Sequence, residues 1–317
     1  MSAAPPSPTT STPAPTVAPG GLARWTHAAL VANLAAQILI IGTGGAVRLT
    51  GSGLGCSTWP QCEPGEFTPR LHDAATIHPF IEFGNRTLTG VLTVVALAVA
   101  VLVWRERTRS RSFRVLGLVP LLGVLVQAVL GGITVLVDLH PAVVGSHMFI
   151  SMGLVAVSTV LVVRWGELDG PARPLVPERV VRLGQLLAVL GVAVVALGIV
   201  TTGAGPHSGD NEVGYRFALD PYLVAKVHAL SVWAFVLVLA ALLVSLRTGP
   251  RRARRAAFVL LAVTLAQAVV GYVQFFTGLP IALVNLHMVA AAGLMAVGTW
   301  FLLTLRERTP AAERCVS

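Results

Sequence analysis

"QAVLGGITVLVDLHPAVVGSHM" at 127–148 and "QAVVGYVQFFTGLPIALVNLHM" at 267–288 align without a gap when the chain is moved against itself by 140 residues. Gln127 meets Gln267, Gly131 meets Gly271, Leu139 meets Leu279 and His147 meets His287. Two apolar helical hairpins match weakly by composition alone. A shared Gln, Gly and His-Met in one frame points instead to a duplication, and duplicated helices mark duplicated sites. The preceding hairpins match less clearly, with "GGA" at 44–46 near "TGAG" at 202–205.

The rest of the chain supplies a setting for this repeat. Of its 317 residues 55% are hydrophobic and only 12% charged, with a mean hydropathy of +0.77, which is the composition of an integral membrane protein. Stretches of about 20 apolar residues, enough to cross a ~30 Å hydrocarbon core, occur near 25–46, 78–103, 115–137, 142–163, 183–204, 222–246, 256–276 and 282–304. The expected fold is therefore all-α, with eight transmembrane helices arranged as two tandem four-helix bundles. A seven-helix reading stays open. The expected divisions are a disordered tail at 1–22, a first unit at 23–164, a cytoplasmic linker at 165–182, a second unit at 183–306 and a cytoplasmic tail at 307–317.

Net charge is +9, but the basic residues speak about topology before partners, and nucleic acid is not expected. Eighteen of the 23 fall at 24, in the 105–114, 164–182 and 247–255 segments, or after 305. The other five are Arg48, Arg70, Arg86, Arg216 and Lys226, in or near the alternate loops. This bias puts both termini in the cytoplasm and the 47–77 and 205–221 loops outside, with membrane lipid as the surrounding solvent. The opening "MSAAPPSPTTSTPAPTVAPG" holds six prolines and no charge, and resembles neither a signal nor a transit peptide. A bacterial plasma membrane is the expected location.

Cys56 and Cys62 flank a Trp-Pro turn in "GCSTWPQC", on the side where a disulfide persists. Free thiols or a metal site are the alternatives, but two cysteines without matched neighbours make a poor zinc site. Cys315 reads as an incidental thiol.

His147, His228 and His287 lie 17, 19 and 19 residues before the next basic residue, so all three sit at one depth in the outer half of a span. A polar group in hydrocarbon must find a partner, which makes intramembrane histidines candidates for metal or haem ligation; a hydrogen bond to a neighbouring helix is the plainer alternative. His228 and His287, on helices six and eight, suit two axial ligands of a haem held inside a bundle. The same ruler on helix two falls on Asn85. In "IHPFIEFGNR" at 77–86, His78, Glu82 and Asn85 share one stripe, and Arg86 stands four residues after Glu82. Glu82 and Arg86 form either a structural ion pair or a carboxylate with a cation that receives a propionate.

With "TGSGLGCSTWPQC" at 50–62, "IEFGNRTLTG" at 81–90 and the three histidines, the chain resembles the haem A synthase family over residues 24 to 306. The resemblance implies oxidation of the C8 methyl of haem O to a formyl group by successive hydroxylations, yielding haem A for cytochrome c oxidase. It implies a haem b on His228 and His287, substrate haem near His147, an important carboxylate at Glu82 and a disulfide between Cys56 and Cys62. Haem O synthase and oxidase assembly factors are the implied partners.

One departure is plain. Where many members read Glu-x-x-His-Arg, this chain carries Asn85. Either His78 substitutes from two turns away, or His147 alone holds the substrate iron and a sixth position stays open. In the implied mechanism Glu82 accepts a proton or stabilises a cation while haem b relays electrons. His27, His72, His140 and His207 read as interfacial or solvated, with His140 a candidate for the haem edge. Two other classes fit parts of the pattern: a dihaem b-type electron carrier or quinol oxidoreductase, which needs neither the cysteine loop nor Glu82, and a transporter, which needs no haem.

Overall fold

The computed structural model describes residues 21–70, 77–207, 209–210 and 212–310; the expected tail up to residue 20, His72 and Cys315 lie outside them. Among the described residues, eight spans are long and apolar enough to cross a membrane. They are α1 (Gly21–Leu49), α2 (His78–Arg105), the pair α3 (Arg111–Leu116) and α4 (Val119–Leu136), α5 (Pro141–Trp165), α6 (Glu178–Ala204), α7 (Pro221–Ser245), α8 (Arg251–Phe276) and α9 (Ile281–Thr304). The fold is all-helical apart from two three-residue strands among the described residues.

Prolines set the starts. Helices α2, α4, α5 and α7 each carry one in the first two positions, where the missing N–H has no intrahelical partner to lose. The third span differs from the expected 115–137 for the same reason. It begins earlier, as α3 with the Ser110 hydroxyl accepting from the Phe113 amide at 3.3 Å, and breaks at Gly117 and Leu118, just before Pro120.

The 140-residue repeat is visible in the backbone. Asp138 and Leu139 take φ values of 50° and 57°, and their counterparts Gly278 and Leu279 take 79° and 59°. The Leu139 amide donates to the Thr134 carbonyl at 2.8 Å and the Leu279 amide to the Gln274 carbonyl at 2.7 Å. Each is the six-to-one bond that closes a helix C-terminus through a left-handed residue. Three non-glycine residues held there show that the turn is imposed by the hairpin around it.

Neighbours α1–α2, α2–α4, α4–α5 and α5–α1 pack against one another, as do α6–α7, α7–α8, α8–α9 and α9–α6. Helices α1 and α5 also pack on α9, and α5 on α6. Small residues permit the α1–α9 approach. A β-carbon on Gly42 would stand 2.9 Å from Val289, and one on Gly45 would collide with Asn285. Met148, Met152, Met288 and Met295 fill the seam beside Ile41 and Ala292, which suits a contact that must fit irregular surfaces.

Both ends are tied. At one, β1 (Ala172–Pro174) pairs antiparallel with β2 (Arg306–Arg308), Ala172 opposite Arg308. Arg109 reaches Asp169 at 3.1 Å and donates to the Arg164 carbonyl at 2.7 Å. At the other end, that of the disulfide loop, the Gly53 amide donates to the Gly209 carbonyl at 2.7 Å. Arg48, in the last turn of α1, donates to the carbonyls of Thr202 and His207, both at 2.9 Å.

Candidate functional site

A cavity of about 1140 Å³ runs through the interior and takes walls from both sets of helices. His147 on α5, His228 on α7 and His287 on α9 all line it, together with Trp59, Glu82, Asn85 and Arg86. Of the expected site residues, His78 is the one on α2 that does not. Its Nδ1 lies 2.8 Å from the Ser52 hydroxyl, and the His78 backbone packs against Gly55.

Each cavity histidine faces a glycine. A β-carbon would stand 3.5 Å from Cε1 of His147 at Gly131, 3.2 Å from His228 at Gly198 and 3.2 Å from His287 at Gly271. Gln127 donates to the His147 carbonyl at 2.8 Å and also to Ser151; Gln267 donates to the His287 carbonyl at 3.0 Å. The sequence marks Gln127, Gln267, Gly131 and Gly271 as paired positions without a role. In the structure they build the same bracket twice: a glutamine fixing the histidine backbone and a glycine clearing the ring. The Nδ1 atoms of His147 and His287 are buried with no hydrogen-bond partner among the described residues. Uncommitted imidazoles on a large cavity, with small residues opposite, fit the axial ligation of a flat metal-bearing group.

On the α2 wall Glu82 is 5% exposed and fully engaged. It accepts from the Cys56 amide at 2.7 Å and from Arg86 Nε at 3.0 Å. Arg86 also donates to the carbonyls of Thr58 and Gln61 at 3.1 Å. The ion pair expected as the structural alternative is thus present, and it staples the loop closed by the Cys56–Cys62 disulfide onto α2. That loop lays Trp59 against Gly132, where a β-carbon would collide with the indole. Asn85, at the position of the expected fourth histidine, accepts from the Thr43 hydroxyl at 2.7 Å.

Three of the basic residues placed in or near the alternate loops line the cavity: Arg48, Arg86 and Lys226. Arg48 lies inside α1, and Lys226 lies in the second turn of α7, just before His228. Lys226 falls within the expected 222–246 span, and Pro221 in the first turn marks where that helix starts. Three other described histidines stand apart from the cavity. His27 is exposed on α1, His140 caps α5 by accepting from the Ala142 amide at 3.4 Å, and His207 sits in the loop before α7. Burial and the nearby cations Arg48 and Arg216 push the His207 imidazole below its ordinary pKa, so it stays neutral at pH 7.

The fold and the cavity define a multi-pass membrane protein built around intramembrane histidines. Residues 23–209, more than half of the chain, match the cytochrome oxidase assembly protein family COX15-CtaA, and the chain belongs to that family. The match includes the disulfide loop, Glu82 and His147, and stops before His228 and His287. Similar proteins include one from Bacillus pumilus named "Heme A synthase", 38% identical over 118 residues, covering 36% of this chain and 37% of the relative. Another of the same name, from Halalkalibacterium halodurans, is 29% identical over 169 residues, covering 53% and 54%. The aligned parts thus span about half or less of these relatives. With eight apolar helices among the described residues and bacterial kin, this is a multi-pass bacterial membrane protein.

Proposed function

We propose that the chain is a haem A synthase, which oxidises the C8 methyl of haem O to a formyl group by successive hydroxylations and so supplies haem A to cytochrome c oxidase. The observation that carries this reading is the repeated bracket of glutamine, glycine and histidine on one cavity, with a buried carboxylate on its wall. Family membership and the names of the relatives support it.

In this reading the helices form two tandem four-helix units, α1–α5 and α6–α9, with both termini cytoplasmic and the disulfide loop outside. His228 and His287 hold haem b, which supplies one-electron redox chemistry that side chains cannot. His147 faces the substrate, haem O. Glu82 sits on the same wall and takes the proton or balances the positive charge as the methyl carbon is oxidised. Arg86 holds Glu82 in place. Trp59 and the loop behind it keep water from that end of the cavity.

Asn85 is held by Thr43 and His78 by Ser52. His147 is then the one imidazole that α1, α2, α4 and α5 turn to the cavity among the described residues. One protein ligand leaves an open position on a substrate iron, which favours an oxidase over a dihaem carrier needing two ligands per haem. Haem O synthase and oxidase assembly factors are the proposed partners.

The test is chromatography with mass detection of haems from cells that lack haem A and express this chain with a haem O synthase. Hydroxymethyl or formyl haem is expected only with this chain. Folded, haem-loaded protein with unconverted haem O would replace the reading by an electron carrier. Glu82→Ala is expected to abolish formyl production while keeping the haem b spectrum; loss of all haem would make Glu82 structural.

A further inference from the structure

The walls of the cavity are uneven. Helix α7 packs along α6 and α8 along α9, whereas α7 and α8 touch sparsely. Side chains along that seam line the cavity and are exposed as well: Tyr222, Lys226 and Trp233 from α7, and Tyr272 and Phe275 from α8. The main polar bridge across it is the indole N–H of Trp233 donating to the Tyr272 hydroxyl at 3.2 Å. Tyr222 and Phe275 meet below it, ring centroids 6.0 Å apart.

Lys226 is the single lysine of the chain, and its ammonium lies 4.2 Å from the Tyr222 ring centroid with no carboxylate partner among the described residues. A cation in a membrane helix is costly unless something answers it. Here it stands at the rim of an apolar cavity, beside a seam closed, among the described residues, by one hydrogen bond and aromatic edges. A flat apolar ligand with carboxylates at one edge would find both parts of its chemistry matched.

We propose that the α7–α8 seam is a lateral entrance through which the tetrapyrrole of the second-half site passes between bilayer and cavity, with Lys226 receiving a propionate and the Trp233–Tyr272 pair acting as the latch. This rests on the haem reading given above. It adds the route, the residue that recognises the acid edge and the contact that must open. Lipid partitioning concentrates such a ligand at the seam, and ring-on-ring contact lets it slide without stranding polar groups.

The experiment uses the full chain, stripped of haem and held in nanodiscs. Growth of the Soret band follows mixing with haem b or with haem b dimethyl ester, which has lost its charges. Lys226→Gln is expected to slow uptake of haem b about tenfold, the scale of one charge-assisted hydrogen bond, and to leave the ester unchanged; Lys226→Arg restores the wild-type rate. Trp233→Phe and Tyr272→Phe each keep the ring and are expected to speed uptake, and release to an acceptor globin, by a similar factor. Equal slowing of both probes by Lys226→Gln, or no slowing, overturns the entrance, as does unchanged exchange in both latch variants. A wild-type chain that gives no Soret band removes the haem reading as well, so the two failures are distinguishable.

Discussion

Gly271 lies against the imidazole of His287, with 3.2 Å between Cε1 and the place a β-carbon would take. Gly131 holds the same relation to His147 at 3.5 Å. The difference makes a graded prediction. Gly131→Ala fits, Gly271→Ala forces the ring to yield by a few tenths of an ångström, and Gly271→Val blocks the space. Purified Gly271→Val is expected to keep its helicity by circular dichroism and lose more than half of the Soret absorbance per chain, with Gly131→Ala near wild type.

Arg86 and Glu82 are coupled through an ion pair whose carboxylate is buried, and removing the cation leaves that carboxylate unanswered. Arg86→Ala is expected to cost about 3 kcal/mol, because the carboxylate keeps the Cys56 amide but loses its cation. Glu82→Gln keeps the shape, and the Arg86 cation it leaves still donates to the Thr58 and Gln61 carbonyls, so it is expected to cost less, about 1 kcal/mol. Unfolding in mixed detergent micelles measures both, and the reverse order would show that Arg86 acts through the loop carbonyls alone.

The Cys56–Cys62 bridge closes a short loop that carries Glu82's amide donor and Trp59. Replacing both cysteines by serine is expected to lower stability by about 2 kcal/mol through the entropy returned to the unfolded chain. Reductant is expected to shift the thermal midpoint of the wild type and leave the variant unmoved. Trypsin cleavage at Arg70, which is tied to Glu63 and Glu66, is expected to quicken in parallel.

His207 provides a pH test. Its folded pKa lies below the unfolded value near 6.5, so the unfolded chain takes up protons first as pH falls. Its neutral form is favoured in the fold. Stability at this loop is therefore full above pH 6.5 and declines as pH falls through that value towards the lowered one. Protection factors of the described amides in 205–216, corrected for the intrinsic pH dependence of exchange, are expected to fall between pH 7 and 5, and His207→Gln is expected to flatten that dependence.

The spans were legible because twenty apolar residues have few other fates, and the duplication was legible because Gln, Gly and His recur in one frame. The three histidines that the sequence singles out do share a cavity. Partner choice was harder. His78 and Asn85 fall on one stripe of α2, but Ser52 and Thr43, each from a different segment, give them different partners. Glycine contacts with the imidazoles also escape a linear reading, since Gly198 and His228 meet only once α6 and α7 pack. The break before Pro120 was within reach of the proline rule.

The strand pair between Ala172–Pro174 and Arg306–Arg308 has a bearing on biosynthesis. The first strand leaves the ribosome while α6 to α9 are still to be made, and its partner emerges only after α9. Until then Ala172–Pro174 presents an unpaired edge. Translation that stalls anywhere in the second half leaves that edge open, an incomplete chain visible to a quality-control protease without any inspection of the membrane-embedded helices.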